Sequence, residues 1–209
     1  MVIFFMNDIL KKINEYYTQK IEIFGNTPAG VDWNSLESQY SRFKELSKII
    51  REEDFTILDY GCGYGALYNY LALQNKKFRY FGFDISVQMI EAATQNINIG
   101  NNFFFTSDKK ALYPCDYVTA SGIFNVKLDV PVKSWENYIL NTLKEMGRLS
   151  IKGFSFNILS IFCDDAFKKN YLYYADPEWL IELCKKLFSD RVQILKDYSL
   201  YEFTILVYK

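Results

Sequence analysis

The stretch ILDYGCGYGAL, residues 57–67, places Gly61, Gly63 and Gly65 directly behind a run of strand-forming residues. Glycines crowded in this way make a turn whose backbone can approach a ligand closely, because no Cβ stands in the way. Two nucleotide-binding patterns compete for such a turn. A dinucleotide loop reads G-x-G-x-x-G, with its third glycine one place later than here. This chain reads D-x-G-x-G-x-G, with Asp59 two places before the first glycine. A carboxylate there repels a pyrophosphate and attracts a ligand that carries a positive amino group. Taken alone, the glycines also fit a bare strand–helix turn.

Downstream, strands and helices alternate. FTILDYG (55–61), FRYFGFDIS (78–86), NNFFFTSD (101–108), CDYVTASGIF (115–124) and GRLSIKGFSF (147–156) read as strands. Helices are expected at ALYNYLALQ (66–74), over about 87–97 with Ser86 as cap, and after a cap at Ser134. Asp176, Pro177 and Glu178 mark a further helix start. VQILKDYSL (192–200) and YEFTILVYK (201–209) follow so closely that they pair as a hairpin. The class is α/β: a Rossmann-like, mostly parallel sheet with helices on both faces and an antiparallel C-terminal hairpin strand. Upstream, a helix over 7–24 with Asn7 as cap precedes the loop GNTPAGVDWN (25–34) and a second helix over 35–50. The apolar start MVIFFM (1–6) is expected to pack on the body. No repeat or linker interrupts the 209 residues, so they read as a single domain, 1–209.

Composition narrows the chemistry. Lysine plus arginine (24) nearly balances aspartate plus glutamate (25), which gives no basic excess for tracking a phosphate backbone. No nucleic-acid partner and no membrane partner are expected. The chain has no histidine, so any base or triad that needs imidazole is excluded. Four scattered cysteines without a C-x-x-C pair favour a reducing, cytoplasmic setting, and no metal site is expected.

In a sheet of this kind ligands sit at the carboxyl ends of the strands. The second strand ends in Asp84, about twenty residues after the glycine turn, where a carboxylate can accept both hydroxyls of a ribose. The third ends in Ser107 and Asp108, where a carboxylate can accept the amine of an adenine while Ile85 and Met89 flank the ring. Three acids at successive strand ends are far more specific than any one of them. With LDYGCGYG, FGFDIS, FTSD, CDYVTASGIF and GRLSIKG in this order, the chain resembles the class I S-adenosylmethionine-dependent methyltransferases. The resemblance covers residues 55–209 as a core, and residues 1–54 resemble the helical lid of small members.

It implies S-adenosylmethionine held across Gly61, Cys62, Gly63, Asp84, Ile85, Met89, Ser107 and Asp108, with Ser121 and Gly122 approaching from the fourth strand. In the lid, Gln39 and Arg42 share a helical face, and Arg42 offers planar, bidentate recognition of an amino-acid carboxylate. Trp33 reads equally as a core anchor or as part of the cofactor cover. For the acceptor, Tyr17, Phe124, Asn125, Lys127, Asn157 and Tyr173 are the candidates, with Tyr171 and Tyr174 beside them. No catalytic residue is assigned, since an ionised acceptor needs no base. The fourth strand lacks an N-P-P-[YF] motif, which counts against adenine or amide nitrogen as acceptor. The expectation is methyl transfer to a small-molecule oxygen, on a sugar, phosphate or phosphoramidate-type precursor of bacterial capsule or specialised metabolism, by a monomer or homodimer. An RNA-modifying methyltransferase and a nicotinamide-dependent dehydrogenase are the alternatives.

Overall fold

The computed structural model describes residues 2–74, 76–97, 102–196 and 200–209, and of residues 2–6 the backbone only. The helices are α1 (Val2–Phe24), α2 (Leu36–Ser47), α3 (Ala66–Ala72), α4 (Val87–Asn96), α5 (Val132–Leu149) and α6 (Pro177–Leu187). The strands are β1 (Asp54–Tyr60), β2 (Lys77–Phe83), β3 (Phe103–Thr106), β4 (Cys115–Ala120), β5 (Ser150–Leu159), β6 (Val192–Leu195) and β7 (Glu202–Tyr208). They form one sheet in the order β3-β2-β1-β4-β5-β7-β6. β1 to β5 run parallel, and β7 is antiparallel to both β5 and β6. The expected hairpin is therefore present, with β7 inserted between β5 and β6.

Strand residues alternate between two buried faces, as a sheet covered by helices on both sides requires. Leu58 and Tyr60 point into a core shared with α5 and α6, while Phe55 and Ile57 point into one shared with α2, α3 and α4. On α5 the stripe Trp135, Ile139, Leu143 and Met146 is fully buried. Truncating Trp135 to alanine there costs about 3–5 kcal/mol.

Local signals set most element starts. Ser86 accepts the Met89 N–H at 3.3 Å, and Asp176 accepts the Glu178 N–H at 2.9 Å ahead of Pro177. Two expected caps move. α1 already starts at Val2, because nothing in residues 2–6 breaks a helix, so Asn7 lies inside it. α5 starts at Val132 behind Pro131, whose φ of −59° sets the entry, so Ser134 sits in its first turn. Gly147–Leu149 complete α5 rather than open β5. The packing expected of MVIFFM concerns side chains outside those described, and part of 192–200 likewise lies outside the described residues. Among the described residues no helix is long and apolar enough to cross a membrane.

Strand order reverses between β1 and β4, and that switch point is where α/β sheets bind ligands. α1 crosses above it. Thr18 Oγ1 lies 3.0 Å from Ser86 Oγ at the start of α4, and Lys12 pairs with Asp129 at 2.6 Å beyond β4.

Candidate active site

A cleft opens at the switch point, with about 880 Å³ of space including the solvent at its mouth. Its floor is the turn after β1. Gly61, Gly63 and Gly65 have φ of 85°, 52° and 78°, a region where side chains are strained. A Cβ on Gly61 would lie 2.3 Å from Ile123 Cγ2, and one on Gly63 would meet Val31 at 3.0 Å. The Gly61 and Cys62 N–H groups donate to the Phe83 carbonyl, which ties the turn to the end of β2.

Asp84 completes this side. Its Oδ2 accepts the Gly63 N–H and its Oδ1 the Ser86 N–H, both at 2.9 Å. Burial raises its pKa, while the backbone N–H groups of Ser86, Gly63 and Ile85 oppose that rise. Ile85 and Met89 line the cleft beside it. Opposite stand Leu10, Ile13 and Tyr17 of α1, with Trp33, Ser121 and Gly122. The turn that carries Val31 and Trp33 is latched to α1 through Asp32, which accepts Tyr16 Oη at 2.6 Å and pairs with Lys20 at 2.6 Å.

Nine residues assigned from sequence thus line one cleft: Tyr17, Trp33, Gly61, Gly63, Asp84, Ile85, Met89, Ser121 and Gly122. The others lie elsewhere. Asp59 is buried, points away from the cleft and accepts Tyr80 Oη at 2.5 Å. Burial lifts its pKa to about 7, Tyr80 lowers it and Asp84 raises it. Cys62 is buried behind the turn, with its thiol pKa raised well above the ordinary value by burial. Ser107 and Asp108 are exposed beside the cleft, and Asp108 caps the turn Lys109–Ala111 by accepting the Lys110 N–H. Gln39 and Arg42 share a buried face of α2, as their spacing predicts. Gln39 accepts Tyr64 Oη at 2.8 Å, whereas Arg42 pairs with Glu202 of β7 at 2.5 Å.

The residues expected to face an acceptor mostly turn inward. Phe124 is fully buried, and its carbonyl accepts Trp135 Nε1. Asn125 takes the Leu159 N–H on its side chain and the Tyr173 N–H on its carbonyl. Lys127 Nζ donates to the Leu128 carbonyl, and Tyr173 Oη donates to Glu136. Asn157 is buried between Gly122 and Glu202. Tyr174 Oη accepts the Lys169 N–H, and Tyr171 is exposed on the same segment.

Sequence reasoning missed Tyr138, Thr142 and Lys109, which line the cleft, and Glu145, which pairs with Lys109 and accepts Tyr60 Oη at 3.2 Å. On α5 the 138/142/145 spacing was a usable signal, since those positions share one helix face. Among the described residues no group of three His, Cys, Asp or Glu could hold a metal ion.

Two features fit an adenosyl amino acid. Gly61 and Gly63 line the cleft with bare backbone, where a Cβ would collide with Ile123 or Val31, and Ser121 Oγ is buried at the cleft with no hydrogen-bond partner among the described residues. A parallel sheet with one inserted antiparallel strand, holding such a cleft at its switch point, defines the Rossmann-like methyltransferase fold.

Residues 51–203 match the family model described as "Methyltransferase domain". Over 163 residues the chain is 43% identical to "Putative methyltransferase Rv1506c" of Mycobacterium tuberculosis (strain ATCC 25618 / H37Rv), covering 78% of this chain and 98% of that one. The solved DhpI–SAH complex superposes with a TM-score of 0.62 at 14% identity, covering 95% of both chains. Human N-acetylserotonin methyltransferase in complex with SAM gives 0.60 at 14% identity, over 96% of this chain and 66% of that one. The two structures establish a common fold. The chain belongs to the methyltransferase-domain family and is an S-adenosylmethionine-dependent methyltransferase.

Proposed function

We propose that this enzyme methylates an oxygen of a small polar acceptor, with a sugar, phosphate or phosphoramidate-type precursor as the class to try first. The observation that carries this reading is the roof of the cleft. Leu10, Ile13 and Tyr17 of α1 line the cleft together with the glycine turn and leave a recess with apolar walls rather than an open basic surface. A net charge of −1 agrees, since binding a nucleic-acid backbone rests on an excess of cations. Residues 1–54 then act as a lid on the core formed by 55–209. The four buried, unpaired thiols suit a reducing cytoplasm.

S-adenosylmethionine supplies the methyl group. In this reading Gly61 and Gly63 admit it, Asp84 accepts its ribose hydroxyls, and Ile85 and Met89 flank its adenine. Asp108 takes the adenine amine from the rim, and Ser121 Oγ meets the amino-acid end. Tyr17, Tyr138 and Thr142 orient the acceptor with their hydroxyls. Burial holds the Tyr17 and Tyr138 hydroxyls protonated, so they serve as donors rather than bases. Alignment alone can supply roughly 7–11 kcal/mol of the barrier in such a displacement.

The test is transfer of labelled methyl from S-adenosylmethionine to a panel of phosphorylated sugars, sugar nucleotides and bulk RNA. Label on a small acceptor is expected. Label only on RNA would overturn the proposal in favour of RNA modification.

A further inference from the structure

Glu202 opens β7, far in sequence from the glycine turn, and belongs to none of the motifs above. Its buried carboxylate nevertheless touches two elements of the site. Oε1 pairs with Arg42 Nε at 2.5 Å, and Oε2 accepts Asn157 Nδ2 at 2.9 Å. Asn157 Oδ1 in turn accepts the Gly122 N–H at 2.8 Å. The Arg42 guanidinium lies 3.8 Å from the centre of the Trp33 ring. Trp33 closes the circuit on Gly122, where a Cβ would come within 2.5 Å of Cζ2. Gly122, Asn157, Glu202, Arg42 and Trp33 therefore form a ring of contacts. Only Trp33 and Gly122 face the cleft, and the other three stand behind them.

We propose that Glu202 is a positioning residue of the cofactor cleft: by holding Arg42 and Asn157 at once, it fixes the Trp33 ring against the Gly122 turn. This rests on the reading that the cleft holds S-adenosylmethionine. A buried ion pair is not an economical way to add stability, since apolar side chains of similar volume often do as well or better. What the pair provides is direction. Glu202 needs a cation on one oxygen and an amide donor on the other. Arg42 is thereby held beneath Trp33, and the Gly122 N–H is committed to Asn157 instead of the ligand. The wall presented to the cleft is then an indole and the Ser121 hydroxyl.

The test is fluorine NMR of the full chain with 5-fluorotryptophan at Trp33, Trp135 and Trp179, the Trp33 signal being assigned with W33F. E202Q keeps the size of the side chain and removes its charge. The expected result is a shifted, broadened Trp33 resonance with Trp135 and Trp179 unmoved, together with S-adenosylhomocysteine binding weaker by about tenfold or more. In an R42Q background the same substitution should add little, because its partner is already gone. An unmoved Trp33 resonance, all three resonances moving together, or fully additive effects would each overturn the proposal. If E202Q does not fold, Arg42→Lys carries the same prediction through the loss of the planar fork. The fluorine measurement needs no ligand. A wild-type chain that fails to bind S-adenosylhomocysteine would therefore refute the cofactor reading while this inference is still decided by the Trp33 signal.

Discussion

The two walls of the cleft use their polar groups in opposite ways. Along the glycine turn, Asp84 accepts the N–H groups of Gly63 and Ser86, and Asp84 and Gly63 still line the open space. Along the ends of β4 and β5, Phe124, Asn125 and Asn157 spend their polar groups on the protein itself and are buried. The first wall is built from backbone conformation and from bonds between the glycine turn and the end of β2, about 21 residues on. The second is built from partners 11 to 35 residues apart, which turn its polar groups into the protein. Residue types suited to ligands occur on both, but of those on the second wall Ser121 and Gly122 reach the cleft while Phe124, Asn125 and Asn157 do not.

The sharpest way to break that contrast is at its hinge glycine. Gly61→Ala places a Cβ at φ 85° and 2.3 Å from Ile123, so both backbone and packing resist it. Strain of about 1–3 kcal/mol adds to the clash. S-adenosylhomocysteine affinity by calorimetry should fall by two orders of magnitude or more, roughly the loss expected of both effects together. A variant that binds normally would mean that the turn is structural only.

Asn125→Ala probes the opposite wall. It strands the Leu159 N–H in a part-buried place, at a cost of about 1–3 kcal/mol. The expected outcome is a lower melting temperature with the Michaelis constant of the acceptor unchanged. A raised Michaelis constant at unchanged melting temperature would show that Asn125 does face the acceptor.

The same contrast explains what the sequence revealed. The glycine spacing, Asp84, Ile85 and Met89 were legible because φ > 0 and strand-end placement are local properties. So were the parallel sheet and the terminal hairpin, since each followed from the order of periodic segments. The shared helix face of Gln39 and Arg42 followed from their spacing, but Glu202, which Arg42 pairs with, lies 160 positions away and no local pattern links them. Phe124, Asn125 and Tyr173 look like acceptor residues until the long-range hydrogen bonds that consume them are seen. Tyr138 and Thr142 went unread because helix periodicity marks a buried face without saying whether a ligand shares it.

Asp59 sharpens the comparison from within the first wall, as the one acid of that turn facing inward. Its folded pKa, about 7, lies above the ordinary carboxylate value of 3.8, so between those values the native state holds the proton more tightly than the unfolded chain. The stability it contributes is present below pH 4 and is lost as pH rises through 7, with a slope of at most about 1.4 kcal/mol per pH unit. Burial also raises the pKa of Glu202, with Arg42 and Asn157 pulling it down, and that adds a slope of the same sign. Asp59→Asn removes one of these two. Urea midpoints from pH 5 to 8 should decline less steeply in the variant than in the wild type. Equal slopes would mean that Asp59 is ionised throughout.

The smallest expected effect falls on the rim, where the two walls meet solvent. Asp108 is exposed, caps the turn Lys109–Ala111, and adjoins Lys109, which does line the cleft. If it takes the adenine amine, it does so through one solvated hydrogen bond, worth about a three- to tenfold change in affinity. Asp108→Ala should weaken S-adenosylhomocysteine by that factor and leave binding of an analogue lacking the exocyclic amine unaffected. Equal losses for both ligands would assign the effect to the disrupted cap. A carboxylate at a strand end would then be a turn residue here, despite sitting where the motif order puts a ligand.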